Sequence, residues 1–188
     1  MSPKVKFDPN NKDTLVSMER RRTLDPHSVL SQMPITAHQT VADIGCGPGY
    51  FTVPLAKYLF DGKVFALDIQ REMLKATEDS LAKVNLTNVE LKLSKETKLP
   101  LESDSVDGAL IAFVLQEASQ PTRLLKDVVR CLKKSGWLAV LEWHCRETEN
   151  GPPLAQRIDE DKMRKTTDRL GLRTTARRSL NRAQYMLL

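Results

Sequence analysis

Residues 41–52 read VADIGCGPGYFT. An apolar, β-rich run turns abruptly into three glycines spaced two apart, Gly45, Gly47 and Gly49. A chain uses glycine at this density where its backbone takes left-handed dihedrals or comes close to a ligand. Directly after a strand, three kinds of ligand commonly sit on such a turn. A phosphate-cradling loop needs Lys-Ser or Lys-Thr behind its last glycine, but Gly49 is followed by Tyr50 and Phe51. A dinucleotide turn, G-x-G-x-x-G, needs a small third residue where helix and strand pack closely. Counted from Gly45 and Gly47, that place holds Tyr50. The pattern present is D-x-G-x-G-x-G, with Asp43 just before the turn. It suits a compact zwitterion better than a pyrophosphate. Backbone N–H groups near a helix start hold a carboxylate, and carbonyls or acidic side chains hold an ammonium.

Outward from this turn the chain alternates strand and helix. Residues 40–45 are the first β-rich run and 50–59 a helix, with Pro54 near the first turn where a missing N–H costs little. After the Asp61-Gly62 turn, 63–69 is the second strand, and 71–84 places Met73, Leu74, Leu81 and Val84 between charges as an amphipathic helix. Residues 88–94 are a third strand, 96–105 a loop, and 106–115 a strand apolar enough to be covered on both faces. Pro121 opens a helix over 121–134 that Ser135-Gly136 ends, and 137–143 is a fifth strand. The loop 145–156 breaks the rhythm, and a polar helix follows over about 158–170. The runs 172–180 and 184–188 pair antiparallel around a turn near Asn181. Ahead of the first strand, Asp25 caps a short helix with Pro26 at its first position. Alternation of this kind predicts an α/β chain with a parallel sheet and helices on both faces. Asp68 closes the second strand where a carboxylate accepts hydrogen bonds from both hydroxyls of a ribose. Ile69 beside it packs either on a purine face or in the core.

Composition narrows the classes. The 188 residues suffice for one domain with one core, 1–38 forming an N-terminal helical lid and 39–188 the core. No run approaches the roughly 18 apolar residues of a bilayer span, and MSPKVKFDPNNKD lacks the apolar stretch of a secretory signal. No membrane insertion is expected. Cys46, Cys131 and Cys145 are odd in number and widely spaced, which fits reduced thiols in a cytoplasmic protein. No CxxC or HxxxH spacing suggests a metal. The net charge is +5, with much of the excess at Arg173, Arg177, Arg178 and Arg182. That reads first as a solvated face and second as a surface for nucleic acid or an acidic substrate; aromatics for base stacking are scarce there.

Four segments in order carry a resemblance: VADIGCGPGYFTVPLA (41–56), VFALDIQREML (64–74), LPLESDSVDGALIAFVLQEA (99–118) and LLKDVVRCLKKSGWLAVLEW (124–143). They resemble the successive motifs of class I S-adenosylmethionine-dependent methyltransferases. The likeness runs over about 7–172 and is nearest to the small type 11 group related to the ubiquinone/menaquinone-biosynthesis enzymes. FDP (7–9), Glu19-Arg20 and GPPLAQRI (151–158) are similar to a subgroup of small bacterial and archaeal members. The resemblance implies a Rossmann-like methyltransferase fold. Its seven-stranded, mostly parallel sheet has the order 3-2-1-4-5-7-6, with an antiparallel seventh strand and helices on both faces. It implies S-adenosylmethionine as cofactor and S-adenosylhomocysteine as product. Gly45, Cys46, Gly47 and Gly49 would line the turn under the methionine part, and Asp43 would support that turn. Asp68 would bind the ribose with Ile69 beside it, and the backbone at Ala112 would face the methionine amino group. Many relatives place an Asp on the adenine amino group. The aligned residue here is Lys95, which has no acceptor, so Glu96, one position on, is expected to take that contact.

Methyl transfer from a sulfonium needs alignment and exclusion of water more than acid–base help. A general base matters only for a nucleophile that carries a proton. The substrate pocket is expected beyond the carboxyl ends of the strands. There lie Gln116 and Glu117 after the fourth strand, Glu142 and His144 after the fifth, and Tyr50 at the start of the first helix. His144 titrates nearest neutrality but is equally a solvated loop residue. Gln116 stands where many relatives have His, and Glu117 serves equally as a helix cap. The expected acceptor is a small molecule. The Asn/Asp-Pro-Pro-aromatic and Pro-Cys motifs of base methylation are missing from AFVLQEA (112–118), which weighs against nucleic acid. The cysteine spacing weighs against arsenite. Alternatives that stay open are an RNA- or ribosome-associated methyltransferase and a non-catalytic S-adenosylmethionine-binding module. A nicotinamide-dependent reductase is disfavoured by Tyr50. The oligomeric state is open, since the apolar face of the short N-terminal helix suits either a dimer contact or a lid.

Overall fold

The structure, a computed structural model, describes residues 6–188. Seven strands form one sheet: β1 (Thr40–Ile44), β2 (Lys63–Asp68), β3 (Val89–Leu93), β4 (Val106–Ala112), β5 (Leu132–Trp143), β6 (Arg177–Ser179) and β7 (Gln184–Leu187). Their order is β3-β2-β1-β4-β5-β7-β6, as expected. The first five pair parallel, and β7 runs antiparallel to both β5 and β6. The helices are α1 (Met18–Thr23), α2 (Pro26–Leu30), α3 (Thr52–Tyr58), α4 (Arg71–Ala82), α5 (Pro121–Cys131) and α6 (Glu160–Arg169).

The central strands are mostly apolar because both faces are covered. Successive residues point to opposite faces. Ala109 and Ile111 join a cluster with Leu124, Leu125 and Val128 of α5 and Met163 of α6, while Leu110 between them joins Leu55 of α3 and Val29 and Leu30 of α2. The apolar face of α2 is therefore folded back onto the sheet. Ahead of it, a 3₁₀ segment, Pro9–Val16, and α1 are each fixed by a cap: Asp8 accepts from the Asn10 N–H and Ser17 from the Arg20 N–H.

The largest departures from the expected boundaries are at β4, at the junction of α5 with β5, and at β6. β4 ends at Ala112 rather than 115, because Phe113 takes φ +63° and turns the chain. α5 ends at Cys131 rather than 134, and β5 begins at once with Leu132 opposite Val106. The cause is capture of the last helical carbonyls from outside: Asp104 N–H donates to Arg130 O and Ser105 N–H to Cys131 O. Ser135, at φ +66°, absorbs the register shift that follows instead of capping the helix. The run 172–180 keeps only Arg177–Ser179 as strand. The turn near Asn181 forms as read, its Oδ1 accepting from the N–H groups of Ala183 and Gln184.

Candidate cofactor-binding cleft

A cleft opens across the carboxyl ends of β1, β2 and β4, with the residues after β3 at one end and the N-terminal arm over it. The glycine turn forms its floor. Gly45, Gly47 and Gly49 all take positive φ, +72°, +54° and +88°, so side chains there are strained before any contact is considered. A Cβ on Gly45 would also come within 2.2 Å of Val114 Cγ2. The turn is pinned from within: Gly45 and Cys46 N–H donate to Leu67 O, Gly47 N–H to Asp68 Oδ2 at 3.0 Å, and Gly49 N–H to Cys46 O. Thr77 of α4 donates its hydroxyl to Gly47 O at 2.6 Å.

Two carboxylates stand beneath this turn. Asp43, in β1, is fully buried and accepts from the Thr52 hydroxyl at 2.6 Å. Burial pushes its pKa up to about 7, the Thr52 bond opposing and Asp68 adding to the rise. Asp68, at the end of β2, accepts from Gly47 N–H through one oxygen and Gln70 N–H through the other. Burial raises its pKa as well. Asp68 thus ties the end of β2 to the turn. Ile69 next to it is exposed on the cleft wall, not part of the core. Cys46 and Ala112 line the cleft as expected. The Cys46 thiol is buried, which holds its pKa well above the usual thiol range and keeps it a packing group.

The remaining candidates divide. Glu96 lines the cleft, with both carboxylate oxygens already accepting from Ser119, from its N–H and its hydroxyl, at 2.8 Å each. Glu117 and Tyr50 line it too. Glu117 does not cap the next helix; it accepts the N–H of Phe7 at 3.0 Å, and Gln70 Nε2 donates to Phe7 O at 3.0 Å. Phe7 thereby bridges the two walls. Burial raises the Glu117 pKa. Tyr50 donates its hydroxyl to Leu24 O.

Gln116 and His144 are not in the cleft wall. Gln116 is buried, its N–H donating to Glu142 Oε1 and its Nε2 to Phe113 O. His144 continues the β5–β7 ladder, its N–H donating to Ala183 O, and its ring lies by Ser179 Oγ at 3.3 Å and tilted against Tyr185. Burial lowers its pKa. Glu142 does not follow β5 but lies inside it, opposite Tyr185, fully buried. Sequence reading missed Arg20, Phe7 and Gln70 as cleft residues. Nothing local in ERRRT (19–23) singles out one arginine.

Residues 42–140 match the type 11 family described as "Methyltransferase domain". The chain belongs to that family. S-adenosylmethionine is accordingly its cofactor. The methyltransferase chain superposes on the crystal structure of a SAM-dependent methyltransferase from Aquifex aeolicus with a TM-score of 0.91, at 31% identity over 97% of each chain. It is similar to the ubiquinone/menaquinone biosynthesis C-methyltransferase UbiE of Marinomonas sp. (34% identity, 64% of this chain, 49% of that protein). The demethylmenaquinone methyltransferase of Oceanobacillus iheyensis matches at 26% identity over 73% of this chain and 57% of that protein. The chain thus spans about half the length of the curated relatives it matches. Among the described residues, no helix is long and apolar enough to cross a membrane, and no group of three or more His, Cys, Asp or Glu is placed to hold a metal ion.

Proposed function

We propose that this chain transfers the methyl group of S-adenosylmethionine to a small-molecule acceptor, residues 1–38 acting as lid and 39–188 as the core of a single domain. The observation that carries the reading is the cleft itself. Three left-handed glycines leave room against the turn, and the Asp68 carboxylate stands at the neighbouring strand end. Those residues fit a sulfonium nucleoside: Asp68 for the ribose hydroxyls, Ile69 beside the base, the Ala112 backbone and Asp43 for the ammonium end. When bound, the cofactor supplies an activated methyl group. The chain's part is to align and to exclude water. Of the candidate bases, Glu117 fits best, because it faces the cleft and burial brings its pKa toward neutrality. Tyr50 is a positioning group, its proton committed to Leu24 O. Its relatives' names, ubiquinone/menaquinone and demethylmenaquinone methyltransferase, support a small acceptor.

Calorimetric titration tests this with S-adenosylmethionine, S-adenosylhomocysteine and NADH. Both sulfur nucleosides should bind with micromolar Kd, about −8 kcal/mol, and NADH should not bind. Asp68→Ala should weaken both by about 10-fold or more, a lost charge-assisted hydrogen bond being worth about 1.5–3 kcal/mol. A folded sample that binds neither nucleoside refutes the reading. Transfer of a labelled methyl group to small acceptors then separates an enzyme from a binding module.

A further inference from the structure

Arg20, on α1, reaches into the cleft with its guanidinium 4.5 Å from the centre of the Tyr50 ring and 5.5 Å from that of Phe113. Among the described residues its side chain makes one hydrogen bond, to Leu15 O at 3.1 Å, and no carboxylate pairs with it. Arg21 and Arg22 are exposed, so the phase of α1, set by the Ser17 cap, selects Arg20 for the cleft. Burial between two rings removes hydration from the guanidinium and lowers its pKa. Arg20 is half-buried, and a charge withdrawn from water to that extent ordinarily has a partner. Here the geometry leaves that place to a ligand anion.

The neighbours say which anion. Tyr50 follows Gly49 directly and Phe113 follows Ala112 directly, so Arg20 sits where the glycine turn meets the end of β4. The turn's own amides are already used: Gly45, Cys46 and Gly49 donate to backbone carbonyls, Gly47 donates to Asp68, and Pro48 has no N–H. They do not offer the carboxylate site that the sequence pattern suggested. The other cations on the cleft wall, Lys6 and Lys95, lie with Glu96 past β3, Lys6 Nζ being 3.9 Å from Glu96 Oε1.

We propose that Arg20 receives the methionine carboxylate of S-adenosylmethionine, so that the N-terminal arm is part of the cofactor site. The proposal rests on the methyltransferase reading. A guanidinium fork matches a carboxylate through two parallel hydrogen bonds. The Tyr50 ring, itself anchored to Leu24 O, holds the fork in one plane.

The test compares S-adenosylmethionine with decarboxylated S-adenosylmethionine, which keeps the adenosine, sulfonium and ammonium and lacks only the carboxylate. Calorimetry is run on the wild type, Arg20→Met and Arg20→Lys, with circular dichroism to verify folding. The wild type should prefer the carboxylated ligand by about 10- to 100-fold. Arg20→Met should lose that preference while binding the decarboxylated ligand as the wild type does, and Arg20→Lys should recover part of it. An undiminished preference in Arg20→Met overturns the proposal and leaves Arg20 for an acceptor anion. Equal weakening of both ligands overturns it in favour of a structural role. A wild type that binds neither ligand overturns the methyltransferase reading itself, and this one with it.

Discussion

Replacing Glu142 by Gln should make the protein more stable, and the gain should grow with pH. Glu142 is fully buried in β5; its Oε1 accepts from Gln116 N–H at 3.3 Å, while among the described residues its Oε2 and the Gln116 side-chain oxygen find no hydrogen-bond partner. Burial pushes its pKa from 4.5 to about 8, so the folded protein holds a proton there at neutrality that the unfolded chain releases. Because the folded pKa lies above the unfolded one, the contribution is fully present below about 4.5 and is lost as pH rises through about 8. Each pH unit in that window costs about 1.4 kcal/mol. Between about pH 5.5 and about pH 7.5 the wild type therefore loses about 3 kcal/mol through this group. The Gln variant has no proton to release and keeps an oxygen to accept from Gln116 N–H. The assay is urea unfolding of both proteins across that range, followed by far-UV circular dichroism. The stability difference should widen by about 3 kcal/mol, or a Tm gap growing by about 6–12 °C. Parallel curves for the two proteins would refute the reasoning and place the Glu142 proton elsewhere. Asp43, with its pKa near 7, adds a slope of the same sign to both proteins and cancels from the comparison.

Two further outcomes follow from the glycine turn and its support. Gly45→Ala, forced to hold φ +72° with its Cβ against Val114 Cγ2, should destabilise by about 1–3 kcal/mol in the same unfolding assay; an unchanged midpoint would mean that the turn relaxes. Thr52→Val removes the hydroxyl that donates to buried Asp43 and should cost about 1–3 kcal/mol, with the Asp43 titration moving above 7 in carboxyl-resolved NMR; a titration that stays put would mean that the Thr52 bond carries no weight.

How far the sequence reveals this molecule depends on the range of the forces involved. A parallel sheet was legible because the apolar runs, the glycine turn and Asp68 are local signals, and right-handed crossovers allow few arrangements; the strand order itself came from the family resemblance that those signals carry in sequence. The end of α5 was not, because Lys133-Lys134-Ser135-Gly136 reads as a helix terminus while the actual stop comes from Asp104 and Ser105, far away in sequence. The floor of the cleft, Asp43 through Gly49 and Asp68, was legible for the same local reason. Its roof was not. Arg20 differs from Arg21 and Arg22 only by one and two steps of helix phase, and that phase means nothing until the arm is laid on the sheet. His144 looked like a strand-end residue because the extension of the β5–β7 ladder to Ala183 is a long-range pairing.

The Phe7 bridge has a kinetic consequence. Its N–H is tied to Glu117 on one wall and its carbonyl to Gln70 on the other, so the arm crosses above the cleft proposed to hold the nucleoside. Each exchange of spent for fresh cofactor then requires both tethers to part. Departure becomes a gated event on the microsecond-to-millisecond scale of loop opening, not a free diffusion. Gating of this kind predicts a first equivalent of product formed faster than any later one wherever opening of the arm is slower than methyl transfer.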